Sequence, residues 1–270
     1  MLRQRLITAA LLFLLVLVLI FLAPFWVFLL FLMLLAFLAG QEWAHLSLLA
    51  CPNGLALVLA ALLPVSILAQ HLPWSALAQG SVIWWALFAA LLIWIPPSLL
   101  REAAAWQRPV SAMAVFPVLL PALLFSLSLQ QRAPQFLLWV ILVISADDVG
   151  AMTFGKIWGR HRLVPRLSPG KTWEGLLGGL LASAIMGTLG AWMWIGAAAP
   201  TLFCGAVLGL ITGAFAVLGD LSESFLKRRA DCKDSGQLLP GHGGLLDRLD
   251  SMSAGIPAFV AGLYYLGWWK

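Results

Sequence analysis

The stretch LITAALLFLLVLVLIFLAPFWVFLLFLMLLAFLAGQ, residues 6–41, contains no charged side chain. It is too long for one membrane-spanning helix, which needs about 20 apolar residues. Pro24 lies near its middle, where a turn would divide it. We therefore predict a helical hairpin with spans near residues 6–22 and 26–41. A cleaved signal peptide is the weaker alternative, because the apolar run exceeds a usual signal core and Ala23–Pro24 is a poor cleavage site.

The rest of the chain has the same character, since 62% of its 270 residues are hydrophobic, 10% are charged and the mean hydropathy is +0.98. Soluble domains are closer to half apolar and a quarter charged. The composition therefore predicts an all-α, polytopic membrane protein, folded as one integral membrane domain over residues 1–270. With the first two, about nine transmembrane helices are expected, the others near residues 55–68, 82–100, 112–129, 136–147, 175–195, 202–218 and 253–268.

Charged residues fall mainly on one side of this predicted topology. All of the 16 Lys and Arg residues except Arg132 and Lys270 lie in loops on the same side as the N-terminus, and so do all 11 acids. The positive-inside rule then predicts a cytoplasmic N-terminus and a multi-pass protein of the cytoplasmic (inner) membrane. The net charge of +5 lies in loops between apolar spans, which indicates contact with anionic headgroups of the lipid bilayer and not with nucleic acid.

The most polar stretch of the chain is GDLSESFLKRRADCKDSGQLLPGHGGLLDRLD, residues 219–250. If its beginning is helical, Asp220, Glu223 and Lys227 lie on one face. Asp247 and Asp250 share a face at the start of the last span, so packing of the two helices would bring up to four carboxylates together. A divalent cation removes their repulsion, and oxygen-only ligands suit Mg²⁺. The alternative is that these acids form interfacial ion pairs with the neighbouring basic residues, which are Lys227, Arg228, Lys233 and Arg248.

Two further segments favour phosphate binding at the same face. The turn at residues 240–244, PGHGG, lets backbone N–H groups approach a ligand closely, although it is also a plain turn between helices. The loop at residues 156–171 contains no acid, and its Lys156, Arg160, Arg162 and Lys171 could neutralise a triphosphate or a lipid phosphate. The alternative for this loop is a lipid-facing, topogenic role.

Glu42-Trp43 ends the second predicted span. A tryptophan beside a charge at the end of a span is typical of the membrane interface, and we interpret the pair in that way.

The polar stretch resembles the signature of CDP-diacylglycerol synthases (phosphatidate cytidylyltransferases). The resemblance rests on SFLKR at residues 224–228, Lys233-Asp234, PGHGG at 240–244 and DRLD at 247–250, each at the family's spacing. SPGKTWEG at residues 168–175 resembles a second family motif, and Glu42-Trp43 resembles a third, weaker one. The span number and the length of the chain agree with the family, so the resemblance covers most of the sequence.

The resemblance implies transfer of CMP from CTP to phosphatidic acid, giving CDP-diacylglycerol and pyrophosphate, with Mg²⁺ and a second cation, K⁺, in a homodimer. It implies that Asp220 and Asp247 hold the catalytic metal. The other residues that it implies at the catalytic site are Lys227, Lys233, Asp234, His242 and Asp250. The residues expected to bind substrate are Ser224, Arg228, Gly243, Gly244, Arg248, Lys171, Lys156 and Asp148.

One region departs from the family pattern. Family members tend to have Asp-Ser-Gly-Ala-Tyr before the basic loop, whereas this chain has Asp148-Val149-Gly150-Ala151-Met152, preceded by Asp147. The roles of the missing hydroxyl groups are therefore in question. Two alternatives stay open, a CTP-dependent enzyme acting on another membrane lipid phosphate and, less favoured, a secondary transporter with acids near a cavity.

Overall fold

The computed structural model describes residues 13–50, 52–68, 73–94, 107–236 and 243–269. Within these ranges the chain is almost entirely helical. Helix α1 covers residues 13–21. The remaining helices are α2 (Phe25–Leu46), α3 (Pro52–Leu68), α4 (Trp74–Trp94), α5 (Gln107–Met113), α6 (Val115–Arg132), α7 (Pro134–Trp158), α8 (Trp173–Trp194), α9 (Ala199–Arg229) and α10 (Leu246–Tyr265).

The all-α, polytopic prediction is confirmed. Among the described residues, six helical segments are long and apolar enough to cross a membrane, at Phe25–Leu46, Trp74–Leu91, Arg108–Arg132 (α5 and α6 together), Pro134–Trp158, Trp173–Trp194 and Ala199–Arg229. Helix α3 adds a shorter apolar segment, Pro52–Pro64. Each predicted span overlaps a helix, but the number nine and the cytoplasmic N-terminus remain predictions.

Helices α7 and α9 both extend well beyond the predicted spans, into the charged parts of the sequence. Helix α7 continues through Asp147 and Asp148 to Trp158, and α9, which has 31 residues in all, continues to Arg229. The predicted helical face of Asp220, Glu223 and Lys227 is therefore present. Both extensions carry the charged residues away from the apolar part of the helix without a break in the backbone hydrogen bonding, which a membrane environment favours.

The basic loop contains a small β-hairpin that the sequence pattern did not predict. Strands β1 (Arg162–Val164) and β2 (Ser168–Thr172) pair antiparallel, with Arg162 opposite Thr172. Pro165 follows β1, and the Leu167 N–H donates to the Val164 carbonyl across the turn, 3.1 Å away. Proline presets the backbone angle that such a turn needs. The hairpin thus holds the basic side chains on a defined scaffold.

Helices α7, α8, α9 and α10 pack in sequence against one another, and α2 packs against α3. Small residues allow the close approach of α8 and α9. A Cβ atom on Gly187 would overlap the Gly205 carbonyl and meet the Gly209 backbone at 2.8 Å. In membranes, such glycine contacts let helix backbones pack tightly where burial of apolar surface provides little driving force.

An aromatic cluster packs the start of α7 against the end of α8 and against α10. The Trp139 ring of α7 lies 5.1 Å from the Phe259 ring, 5.7 Å from the Trp194 ring and 6.1 Å from the Trp268 ring. Its indole N–H donates to the Met186 carbonyl. These contacts hold α7, α8 and α10 together. The charged residues of α7 and α10 lie farther along these helices, away from the aromatic cluster.

Candidate active site

The end of α9 and the start of α10 cross closely at Gly219. A side chain at this position would overlap the Asp250 carbonyl and approach the Ser253 hydroxyl. The glycine therefore lets two acidic helix faces meet, the one that carries Asp220 and Glu223 and the one that begins with Asp247.

Lys227 lies between these faces. Its Nζ is 2.7 Å from Asp247 Oδ1 and 3.3 Å from Glu223 Oε2. The second oxygen of Asp247, Oδ2, accepts hydrogen bonds from the Gly244 and Ser235 N–H groups, at 2.8 and 3.2 Å. Asp247 lies outside the six candidate spans. Burial by itself would raise its pKa, but the hydrogen bonds from Lys227 and the Gly244 N–H lower the pKa to about 2.

Glu223 is the most deeply buried acid of the group. Its side chain is 2% exposed and faces the carboxyl groups of both Asp247 and Asp250. Neither of its oxygens has a hydrogen-bond partner among the described residues. The Lys227 ammonium group, 3.3 Å from Oε2, places a positive charge beside it. Two carboxyl groups, those of Glu223 and Asp247, therefore share the one Lys227 ammonium group.

A second ion pair brings the hairpin to the same cluster. Lys171 of β2 places its Nζ 2.5 Å from Asp220 Oδ2, while the Ser224 hydroxyl lies 3.4 Å from Asp220 Oδ1. Asp148 of α7 interacts electrostatically with Asp220 and Asp250. The site is therefore built from α7, β2, α9 and α10. We call its acids the acidic cluster: Asp148, Asp220, Glu223, Asp247 and Asp250.

The predicted site residues do not all contribute in the same way. Lys233 and Asp234 are exposed in the segment after α9. Gly243 has a positive φ of 83°. Arg228 donates a hydrogen bond through Nε to the Leu167 carbonyl of the hairpin turn, at 3.0 Å. Lys156 is exposed at the end of α7, and Arg248 interacts electrostatically with Asp148. His242 lies outside the described residues. Within the described ranges, no three His, Cys, Asp or Glu side chains are arranged to hold a metal ion.

Glu42 has a structural role that the sequence reasoning missed. Its carboxylate accepts hydrogen bonds from the Ser235 hydroxyl at 2.8 Å, the Leu245 N–H at 3.0 Å and the Leu246 N–H at 2.8 Å. The last two belong to the start of α10, where backbone N–H groups lack partners within the helix. Glu42 thus caps α10 from a helix about 200 positions away in the chain and holds the segment that positions Asp247.

The place of Glu42-Trp43 at the membrane interface stays a prediction, but neither side chain faces lipid headgroups. Both side chains are buried within the protein, with Glu42 8% and Trp43 2% exposed, and the Trp43 indole N–H donates to the Ser111 carbonyl. The sequence feature that could have indicated burial is that Glu42 is an isolated acid after a long apolar span, with no Lys or Arg beside it. Such a group needs internal hydrogen-bond donors when it is buried.

Asp147 is a second buried acid that the sequence reasoning noted only as a departure. It is 2% exposed, accepts a hydrogen bond from the Ser183 hydroxyl at 2.9 Å and lies against Gly179 and Gly213. It therefore sits between α7, α8 and α9, behind the acidic cluster.

Comparison with known proteins identifies the family of the chain. A family model described as the cytidylyltransferase family matches residues 3–266. The phosphatidate cytidylyltransferase of Pseudomonas aeruginosa is 37% identical over 273 residues, covering 99% of both chains. The phosphatidate cytidylyltransferase of Haemophilus influenzae is 36% identical over 206 residues, covering 70% of this chain and 68% of the relative. The one from Helicobacter pylori strain 26695 is 37% identical over 180 residues, covering 65% and 66%. With its acidic cluster at the junction of α9 and α10, the chain belongs to the cytidylyltransferase family.

Proposed function

We propose that this chain is a phosphatidate cytidylyltransferase, which transfers CMP from CTP to phosphatidic acid and releases pyrophosphate. The observation that carries the proposal is the end-to-end similarity to the Pseudomonas aeruginosa phosphatidate cytidylyltransferase, which covers 99% of both chains. The position of the acids and lysines supports it, because phosphate transfer needs concentrated positive charge beside groups that can bind a divalent cation.

The proposed reaction forms a bond between a phosphate oxygen of phosphatidic acid and the α-phosphorus of CTP. The bond from the α-phosphorus to the β-phosphate oxygen breaks, and its electrons leave with pyrophosphate. The attacking phosphate is already ionised near neutral pH, so no strong general base is required. The ammonium groups of Lys171 and Lys227 would offset the repulsion between the reacting anions and the developing charge on the leaving group.

Mg²⁺ is proposed as the cofactor, and the donor chemistry fits it. The acidic cluster brings five carboxyl groups together beside Lys171 and Lys227, and a bound divalent cation would relieve the repulsion between those that are ionised. All the candidate donors are oxygen atoms, which Mg²⁺ prefers. Asp220 and Asp247 would hold the ion. Lys171 forms an ion pair with Asp220, and Lys227 forms one with Asp247. When bound, Mg²⁺ would withdraw charge from phosphate oxygens. A second cation, K⁺, remains an expectation from the family resemblance.

The chain is a multi-pass membrane protein, and we propose the cytoplasmic membrane as its location and a homodimer as its assembly. The one-sided distribution of basic residues supports the location, since it orients the acidic cluster toward the compartment that contains CTP. The family resemblance supports the homodimer.

The test is an assay on membranes that contain the full chain, with α-labelled CTP, Mg²⁺ and phosphatidic acid. We expect labelled CDP-diacylglycerol and unlabelled pyrophosphate. A folded protein that forms no labelled lipid would refute the proposal. A labelled product only with another lipid phosphate would favour the alternative CTP-dependent enzyme, whereas the family favours an enzyme over a secondary transporter.

A further inference from the structure

A pocket of about 400 Å³ lies beside the acidic cluster, where the ends of α7 and α8 meet the β-hairpin and α9. Three cationic side chains line it, Lys156 from α7, Arg162 from β1 and Lys171 from β2. Among the described residues that line the pocket there is no carboxylate. The pocket is therefore suited to an anion.

The remaining wall of the pocket is largely apolar. It is formed by Met152, Leu163, Leu176 and Val217, together with small residues. The helix surfaces beside it expose large apolar side chains, including Ile157 at 63% and Leu177 at 64%, which lie on candidate membrane spans. A ligand that matches both walls carries a concentrated negative charge and an apolar body, which is the chemistry of an anionic lipid at the membrane surface.

Lys171 separates this pocket from the acidic cluster. Its side chain lines the pocket, and its Nζ pairs with Asp220. A nucleoside triphosphate is normally bound together with a divalent cation, which requires carboxylates. These lie beyond Lys171, so the carboxylate-free pocket suits a phosphate that is bound by lysine and arginine alone.

We infer that the pocket lined by Lys156, Arg162 and Lys171 binds the phosphate monoester of the acceptor lipid, while the nucleotide binds on the side of the acidic cluster. This inference rests on the proposed function, because it assigns the two substrates of that reaction to two sides of Lys171. The lipid phosphate would lie next to Asp220, and the acyl chains would follow the apolar wall toward the bilayer.

The first test measures lipid binding without turnover. The full chain is placed in phosphatidylcholine nanodiscs that contain phosphatidic acid or phosphatidylglycerol, without CTP, and bound lipid is counted by native mass spectrometry. Wild type should retain phosphatidic acid in preference to phosphatidylglycerol, whose phosphate is a diester with less charge. The double variant Lys156→Gln/Arg162→Gln should lose this preference. Arg166→Gln, which removes an exposed charge from the turn of the same hairpin but not from the pocket, should keep it.

The second test separates the substrates kinetically. The double variant should raise the KM for phosphatidic acid about tenfold, while the KM for CTP stays within about twofold of wild type. A thermal-unfolding midpoint of the double variant close to that of wild type would exclude misfolding as the cause. A selective rise in the KM for CTP, or an equal effect of Arg166→Gln, would overturn the inference. If wild type forms no CDP-lipid, the proposed function fails, whereas selective phosphatidic acid binding that depends on Arg162 would still support the lipid site.

Discussion

The Nζ of Lys227 lies 2.7 Å from Asp247 Oδ1, so one ion pair joins the last turns of α9 to the first turn of α10. The lysine side chain is 14% exposed and the aspartate side chain 15%. The same ammonium group is 3.3 Å from buried Glu223. Lys227 therefore stabilises buried acids, and its proposed role in binding phosphate can be tested separately from this one.

Replacement of Lys227 by methionine should impair both roles. We expect kcat for CDP-lipid formation to fall at least ~100-fold, the usual effect of losing one group that stabilises transition-state charge. The free energy of unfolding should also fall by about 3 kcal/mol, because Glu223 and Asp247 lose their shared cation. Thermal unfolding in detergent and steady-state kinetics measure the two effects.

The double variant Lys227→Met/Asp247→Asn is the control that separates them. Removal of the unpaired carboxylate should restore much of the lost thermal stability without restoring turnover. Recovery of activity in the double variant, or a kcat of Lys227→Met close to wild type, would contradict a direct role in phosphate binding.

Asp220→Asn and Asp247→Asn should each reduce turnover at least ~100-fold while the protein still inserts into membranes. The physical reason is the loss of a charged oxygen ligand for the proposed Mg²⁺. Activity should be measured over a wide range of Mg²⁺ concentrations, and residual activity of the variants should require more Mg²⁺ than wild type.

Asp231→Asn provides the matched control for these substitutions. Asp231 lies just after α9, is exposed and has a positive φ of 52°, a conformation that asparagine also tolerates. We expect normal turnover in this variant. Near-normal activity of either Asp220→Asn or Asp247→Asn would remove that residue from the proposed metal site.

Glu42→Gln should disturb the site without touching a substrate. The amide keeps the size of the side chain but presents one accepting oxygen in place of two, so one of the donors at Ser235, Leu245 and Leu246 loses its partner. An unpaired buried donor costs about 1–3 kcal/mol. We expect faster amide hydrogen exchange at the start of α10 and a kcat about tenfold lower, with little change in the KM for CTP.

The neighbouring Gln41 supplies the control for Glu42. It lies on the same helix and donates to the Asn53 side chain at 2.7 Å, away from α10. Gln41→Ala should leave exchange in α10 and turnover unchanged. Unaltered exchange in Glu42→Gln would show that other contacts are sufficient to hold the segment.

The parts of this site that were predictable from the sequence are those with a local pattern. Asp220, Glu223 and Lys227 share a face because an α-helix repeats every 3.6 residues, and the same rule places Asp247 beside Asp250. The cap from Glu42 was not predictable in this way, because it joins positions about 200 residues apart and depends on how whole helices pack. The pairing of Lys171 with Asp220 likewise depends on the hairpin, whose short strands have no clear hydrophobic alternation.

The contact between α8 and α9 leads to a prediction about stability. Gly187 faces the backbone of Gly205 and Gly209, so an added methyl group has no space. Gly187→Ala should lower the free energy of unfolding by about 1–3 kcal/mol, since the two helices must separate to accept it. Gly80, in α4, has no atom within 4 Å of the position of an added Cβ atom. Gly80→Ala should therefore leave stability unchanged or raise it by about 0.5–1 kcal/mol, through the better helix propensity of alanine. Thermal unfolding of the two variants in the same detergent makes the comparison, and equal midpoints would show that α8 and α9 do not pack as closely as the structure describes.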